Sequence, residues 1–289
     1  MTLHLQQHTL ATPAGCSGVG VHSGKTVNLT ILPAPVNYGI KFRRIDLPNN
    51  PCVAAIFKNV VDTSLATVIG AQGCIISTIE HLMASLSGLS IDNALIEVDA
   101  YELPIMDGSA GPFTDIIKKA GFKKQDALRH FFVIKTPVEL QENEKYVGIF
   151  PAPDFKISYT IEYDHPLINR QSCSFEITDD VFSHEICRAR TFGFYHEVEM
   201  MKRYGLARGG SLDNAVVIDK NKILNTGGLR YKDEFVRHKV LDCIGDLSLL
   251  GMPILGHVIA KKSGHTFNHA VLDKIFADKN VWETKTIST

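Results

Sequence analysis

A chain of 289 residues with 45% apolar and 21% charged side chains carries enough apolar material for one large or two medium cores, which excludes disorder as its dominant state. A formal net charge of −1 and the lack of any Lys/Arg run exclude an electrostatic footprint for nucleic acid. Six scattered cysteines without C-x-x-C spacing read as reduced thiols, no segment reaches the ~20 apolar residues needed to span a bilayer, and the start Met-Thr-Leu-His-Leu-Gln-Gln-His lacks the blocks of a secretory signal, so a cytoplasmic protein is expected.

After a first short strand, the glycine-rich stretch 15–24 invites a phosphate-loop reading. The residues after it, Thr26-Val27-Asn28-Leu29-Thr30-Ile31-Leu32, alternate as a strand does and are closed by Pro33. A dinucleotide loop or P-loop needs a helix there, and the spacing is not G-x-G-x-x-G, so a hairpin turn is expected. Further strands are expected at 39–43, 63–69 and 73–76. Residues 77–88 then show apolar side chains at helical spacing and a stop at Gly88. Ser77-x-x-Glu80 has the form of a capping box, whose glutamate reaches back to a backbone N–H. The adjacent pair Glu80-His81 equally suits a metal ligand beside a group that acts on water. Local sequence alone favours the cap.

A strand at 93–99, a turn-rich segment at 104–113 and a helix at 114–120 ended by Gly121 come next, and Lys123-Lys124-Gln125-Asp126 reads as a solvated linker. The second half opens with strands at 131–140, 146–150, 155–163 and 171–176. A short helix at 180–186, the segment Arg188-Ala189-Arg190-Thr191-Phe192 and a helix near 197–204 lead to a strand at 214–219. Then come a helix at 234–246, a strand at 254–260, a turn at Lys262-Ser263-Gly264-His265 and a last helix at 268–277. Both halves thus run strands, helix, strand, glycine-containing turn, helix, the pattern of a diverged duplication. His81 and His238 lie early in equivalent helices. If the halves pack face to face, both reach a shared interface.

The helix at 234–246 is chemically unusual. His238, Asp242 and Asp246 recur at i, i+4 and i+8 on one stripe, opposite Val236, Val240, Ile244 and Leu247. Two readings stay open: a buried polar stripe satisfied by its neighbours, or an imidazole and a carboxylate one turn apart that converge on Zn²⁺ with a third ligand from elsewhere.

Five stretches, taken together, resemble a known family: Thr78-Ile79-Glu80-His81-Leu82, Pro104-Ile105-Met106-Asp107-Gly108-Ser109-Ala110, Arg188-Ala189-Arg190-Thr191-Phe192-Gly193, His238-Lys239 with Asp242 and Gly245-Asp246, and Lys262-Ser263-Gly264-His265. In order and spacing they are similar to the UDP-3-O-acyl-N-acetylglucosamine deacetylases, the zinc amidases of bacterial lipid A synthesis. The resemblance runs from about Thr2 to the region of Trp282. It implies an α+β fold of two domains of similar topology, each a β-sheet layered against helices, with the helix layers packed together and the active site at the interface. The expected extents are 1–126 for the first domain, 127–282 for the second with an insert at about 193–211, and 283–289 for a frayed polar tail.

By the same resemblance, Zn²⁺ is held by His81, His238 and Asp242, and such ligation accepts Fe²⁺ as well. Glu80 is the implied general base, and Thr191 a donor to the oxyanion. The leaving amine takes its proton either from Glu80 or from His265 as imidazolium, with Asp246 holding His265 charged. Lys239 and Lys262 match residues near the diphosphate and sugar of an acylated UDP-sugar. Phe192, Phe194 and Tyr163 are candidate stacking or apolar surfaces, and Val198, Met200, Met201, Tyr204 and Leu206 candidate walls of an acyl passage. A monomer is expected. Two rival readings remain: a zinc amidohydrolase of another N-acetylated sugar, and a non-catalytic nucleotide-lipid binding protein.

Overall fold

The structure, a computed structural model, describes residues 4–287. In the first half, strands Ala14–Val19, Thr26–Pro33, Ala94–Val98, Ile40–Arg44 and Cys52–Ala54 lie side by side in that order. All neighbours are antiparallel except Ala94–Val98 with Ile40–Arg44, which are parallel. In the second half, Val138–Glu142, Lys145–Phe150, Ile254–Lys261, Phe155–Glu162 and Arg170–Glu176 repeat the arrangement, again with a single parallel pair, Phe155–Glu162 with Ile254–Lys261. The duplication read from element order is therefore a repeated strand topology, and the chain is an α+β fold.

Among the described residues, six helices accompany the sheets: α1 (Glu80–Gly88), α2 (Gly111–Ala120), the one-turn α3 (Asp179–Val181), α4 (Tyr195–Arg203), α5 (Glu234–Leu247) and α6 (His265–Ala277). In each half a helix precedes the central strand and another comes after it: α1 and α2 around Ala94–Val98, α5 and α6 around Ile254–Lys261. Helices α1 and α5 pack on each other, with α2 against α1 and α6 against α5. Nearly every residue of α1 and α5 is buried. The apolar stripe Val236, Val240, Ile244 and Leu247 joins the core with Leu82, Met83 and Leu86 of α1. The two helices approach closely at Gly245, where a Cβ would run into the backbone carbonyl of Glu80. Glycine is required there by that contact.

Several expectations are corrected. Glu80 does not cap its helix. Thr78, a β-branched residue at φ 61, turns the chain sharply before α1, and the Ser77 amide bonds instead to the Tyr101 carbonyl at 2.7 Å. The stretch read as a linker is a strand, Phe122–Leu128, paired antiparallel with Gln6–Leu10. Its mostly exposed, lysine-rich face gave it the look of a loop, and its partner lies more than a hundred residues away. Residue 126, the expected domain boundary, falls inside this strand. The tail is likewise not frayed over Trp282–Lys285, which pairs with Phe131–Ile134 while Trp282 stacks on Phe132 at 4.5 Å. Its end, Ser288-Thr289, lies outside the described residues. The last helix begins at His265 and not at residue 268.

Gly245→Ala places a methyl group into the Glu80 carbonyl, so overpacking is expected to cost about 1–3 kcal/mol. The thermal transition should fall by roughly 2–4 °C for each kcal/mol lost. An unchanged melting temperature in differential scanning calorimetry would contradict this close approach.

Candidate metal centre and active site

The first turn of α1 and the middle of α5 bring His81, His238 and Asp242 together, all buried. One ligand atom from each lies within 4.8 Å of the others. The Asp242 Oδ1 atom is 3.3 Å from His238 Nε2 and 3.6 Å from His81 Nε2, and the two imidazole rings stand nearly perpendicular, 5.1 Å apart.

The chemistry of this trio asks for a cation. Burial pushes the His238 imidazole down to about 3, so it is neutral, and its Nδ1 lies 3.0 Å from the Ala189 carbonyl. The hydrogen must then sit on Nδ1, leaving the Nε2 lone pair aimed at a carboxylate oxygen. Burial alone raises the Asp242 carboxyl, but the Lys239 ammonium against it holds it well below its usual range. Oδ2 of Asp242 accepts from Lys239 Nζ at 2.8 Å, whereas buried Oδ1 has no hydrogen-bond partner among the described residues, nor has His81 Nδ1. A lone pair facing an anionic oxygen at 3.3 Å is repulsive unless a cation lies between them. Two imidazoles and one carboxylate would make three protein ligands and leave a position open, a composition that suits a catalytic rather than a structural site.

Beside the trio lies a chain of buried titratable groups. Glu80 Oε2 accepts from the Thr67 amide at 3.1 Å, and Oε1 stands 3.7 Å from His265 Nε2. That gap is too long for a hydrogen bond. Burial raises the Glu80 carboxyl, while His265 and His81 offset part of the rise. His265 Nδ1 lies 2.8 Å from Asp246 Oδ2. Burial disfavours its charge, but Asp246 first and Glu80 after it outweigh burial and hold the imidazolium up to about 10. Asp246 is itself held by the Thr67 hydroxyl at 2.6 Å and by Asn268 Nδ2 at 2.8 Å. Sequence reasoning singles out neither Thr67 nor Asn268. Asn268 was within reach, three residues after His265 on one helix; Thr67 had no local signal.

Thr191 enters from the other side. Its amide donates to the Gly108 carbonyl at 2.7 Å, so the turn at 104–110 of the first half carries a residue of the second. Gly108 has φ 83, and a Cβ on it would run into the Asn214 carbonyl. Next to Thr191, Arg190 pairs with the fully buried Glu234 at 2.8 Å, which ties this segment to the first residue of α5.

A cavity of about 620 Å³ opens onto Glu80, His81, His238, Asp242 and His265. Thr191, Phe192 and Lys239 also line it, and its far wall is apolar, with Val198, Met201, Leu212, Val217 and Leu224. Of the other residues proposed for the acyl passage, Met200 and Tyr204 are exposed, and Leu206 does not reach the cavity lining. Lys262 and Tyr163 line a neighbouring depression of about 340 Å³, where Lys262 Nζ contacts Glu144 at 2.6 Å. Phe194 packs against Tyr163 and His165 away from the main cavity.

The model of a family described as UDP-3-O-acyl N-acetylglycosamine deacetylase matches residues 7–277. The chain is 49% identical to the UDP-3-O-acyl-N-acetylglucosamine deacetylase of Myxococcus xanthus over 277 residues, 96% of this chain and 88% of that protein. It is 48% identical to the enzyme of the same name from Syntrophus aciditrophicus, again over 96% and 88%. To that of Saccharophagus degradans it is 48% identical over 98% of this chain and 94% of the relative.

A divalent cation at a free concentration of about 100 times its Kd is expected to stabilise the folded chain by about 2.7 kcal/mol. Asp242→Asn, which keeps the side-chain shape but removes the anionic ligand, should lose most of that gain. Melting curves with and without a chelator check this; equal cation responses in the two proteins would rule the trio out as the site.

Proposed function

The chain belongs to the UDP-3-O-acyl N-acetylglycosamine deacetylase family, and from that premise we infer that it hydrolyses the N-acetyl group of UDP-3-O-(3-hydroxyacyl)-N-acetylglucosamine, giving the free amine and acetate for lipid A synthesis. The observation that carries the reading is the buried His81, His238 and Asp242 trio beside Glu80 at the end of a half-apolar cavity. Zn²⁺ is the proposed ion, with a ligand set that also accepts Fe²⁺. When bound, the ion supplies Lewis acidity, polarising the acetamide carbonyl and lowering the pKa of water.

The residues divide the remaining work. Glu80 Oε1, the oxygen left free by the Thr67 amide, takes a proton from the attacking water. The Thr191 hydroxyl donates to the oxygen that becomes negative as the carbonyl carbon turns tetrahedral. As the C–N bond breaks, His265 Nε2 gives its proton to the departing nitrogen, while Asp246 keeps hold of Nδ1. The proton gathered at Glu80 recharges the imidazole afterwards, once the two side chains close the 3.7 Å between Oε1 and Nε2 to hydrogen-bond distance. Lys239, already tied to Asp242, stands where the sugar or its diphosphate enters, with Phe192 beside it. Lys262 and Tyr163 are assigned to the outer part of the substrate, with Phe194 packed behind Tyr163, and the apolar wall to the acyl chain.

We propose two structural units that meet just after strand Phe122–Leu128, which pairs within the first, in place of a boundary at 126/127, with the insert at about 193–211 walling the cavity. A monomer suffices, because one chain supplies the trio and both proton-handling groups. No helix of the described residues is long and apolar enough to cross a membrane, and the proposed place of action is the cytoplasm, on a substrate that carries its own acyl chain.

Acetate release from the acylated UDP-sugar should be abolished by a chelator and restored by zinc. A zinc-loaded protein that releases none would refute the enzyme reading. Because His265 is held up to about 10, its proton is retained through neutral pH and lost as pH rises past that value. The rate should therefore fall on the basic side near pH 10, where a free imidazole of pKa about 6.5 would already have failed below about pH 8. His265→Ala should lower kcat by about 10²–10⁴-fold and remove that limb; an unchanged basic limb would assign the proton to another group.

A further inference from the structure

One buried residue touches every proton-handling group of the site and takes no part in the proton transfers themselves. Thr67 is 2% exposed. Its amide donates to Glu80 Oε2 at 3.1 Å, its hydroxyl to Asp246 Oδ1 at 2.6 Å, and its Oγ1 lies 3.4 Å from His265 Nδ1. Its carbonyl accepts from the Ile79 amide at 3.3 Å, so the peptide groups of Thr67 grip the turn that delivers Glu80.

From these contacts we propose that Thr67 is the positioning residue that couples base to acid, its amide fixing one oxygen of Glu80 and its hydroxyl fixing Asp246 behind His265. The proposal rests on the deacetylase reading of the site. Its first consequence is a choice of atoms. With Oε2 of Glu80 engaged by an amide and Nδ1 of His265 engaged by Asp246, the groups left facing each other are Oε1 and Nε2, the pair that must exchange protons with substrate.

Its second consequence concerns charge. A buried carboxylate is stable only when its lone pairs are met by donors. Asp246 has three donors: the Thr67 hydroxyl, the Asn268 amide and His265 Nδ1. Asn268 cannot flip away, because its Oδ1 already accepts from the Ser263 hydroxyl at 2.7 Å. When His265 gives its Nε2 proton to the departing nitrogen, its Nδ1–H still donates to Asp246 but from a neutral ring, so the two fixed donors carry a larger share of stabilising the carboxylate. The Thr67 hydroxyl thereby lowers the cost of releasing the proton. Its 2.6 Å length is that of a charge-assisted O–H···O⁻ bond.

The test uses the zinc-loaded enzyme with Thr67→Val, which keeps the shape and the amide but deletes the hydroxyl, and Thr67→Ser, which restores it. Thr67→Val should lower kcat by about 10-fold, at the lower end of the effect typical of outer-shell partners, with KM within about twofold. Thr67→Ser should recover most of the loss. In a His265→Ala background the same Val substitution should cost less than about twofold, since two residues acting through one proton are not additive. In NMR spectra the Nδ1 proton of His265 should move in Thr67→Val and return in Thr67→Ser, a readout that needs no turnover. Wild-type kcat in Thr67→Val, an undiminished loss in the His265→Ala background, no rescue by serine, or an unmoved Nδ1 proton would each overturn the proposal. If the wild type releases no acetate, the deacetylase reading fails separately, and the Nδ1 proton alone decides the role of Thr67.

Discussion

Helices α1 and α5 approach until the Glu80 peptide lies on Gly245, a contact that only a residue without a Cβ allows. Packed helices are ordinarily held about 8–10 Å apart by the side chains at their crossing. A residue without a Cβ removes the spacer. Gly245 sits one turn beyond Asp242, so drawing Glu80 onto it draws the neighbouring His81 to within 3.6 Å of the Asp242 carboxylate. The same approach leaves Glu80 beside Asp246 and His265, on the face of α5 that the apolar stripe does not use. The spacing of the proposed ligands and the place of the proposed base thus both follow from how these two helices pack.

Bringing so many ionisable groups into a buried seam is costly unless each charge is met. Three of the buried carboxylates have a cation in hydrogen-bond or ion-pair contact: Asp242 has Lys239, Asp246 has His265, and Glu234 has Arg190. Glu80 has only an amide, and its nearest cation stands 3.7 Å away, which is why burial wins there and its carboxyl is raised. Of these four acids, Glu80 is the one whose nearest cation stands beyond hydrogen-bond distance, and it is the one the proposed reaction needs as a base. The same contrast separates the histidines. His238, tied to a carbonyl, is kept neutral and fit to ligate, whereas His265, tied to a carboxylate, is kept charged and fit to donate.

The parts of this arrangement that are legible in the sequence are those fixed by periodicity. The stripe of His238, Asp242 and Asp246, the apolar stripe opposite it and the repeated order of elements all come from spacing along one chain segment. The features that escape it are settled by partners distant in sequence. Nothing near Thr67 announces that its hydroxyl will meet Asp246, 179 residues later. Strand Phe122–Leu128 looks like a linker because most of it faces solvent and its mate is at the other end of the half. The capping box at Ser77 fails for a local reason that composition hides, a threonine held at positive φ just before the helix. The start of α6 is hidden too. An imidazolium in the first turn of a helix opposes the helix dipole, and it is tolerated at His265 only because Asp246 lies against it.

The duplicated topology explains why chemistry with two sides arose at this seam. Each half offers the start of a buried helix and the turn after its central strand, and in both halves these features face the shared cavity. The first half places Glu80 and His81 at its helix start and Gly108 under Thr191; the second places its stripe on α5 and His265 at the head of α6. Hydrolysis of an amide requires a proton taken from water on one side of the carbonyl carbon and a proton given to nitrogen on the other. A framework with two equivalent but separately evolving edges meets that demand more readily than one edge can, since one half can hold a raised carboxylate and the other a charged imidazole without either sharing an element. The symmetry lies in the scaffold, and the division of acid from base depends on the halves having ceased to be alike.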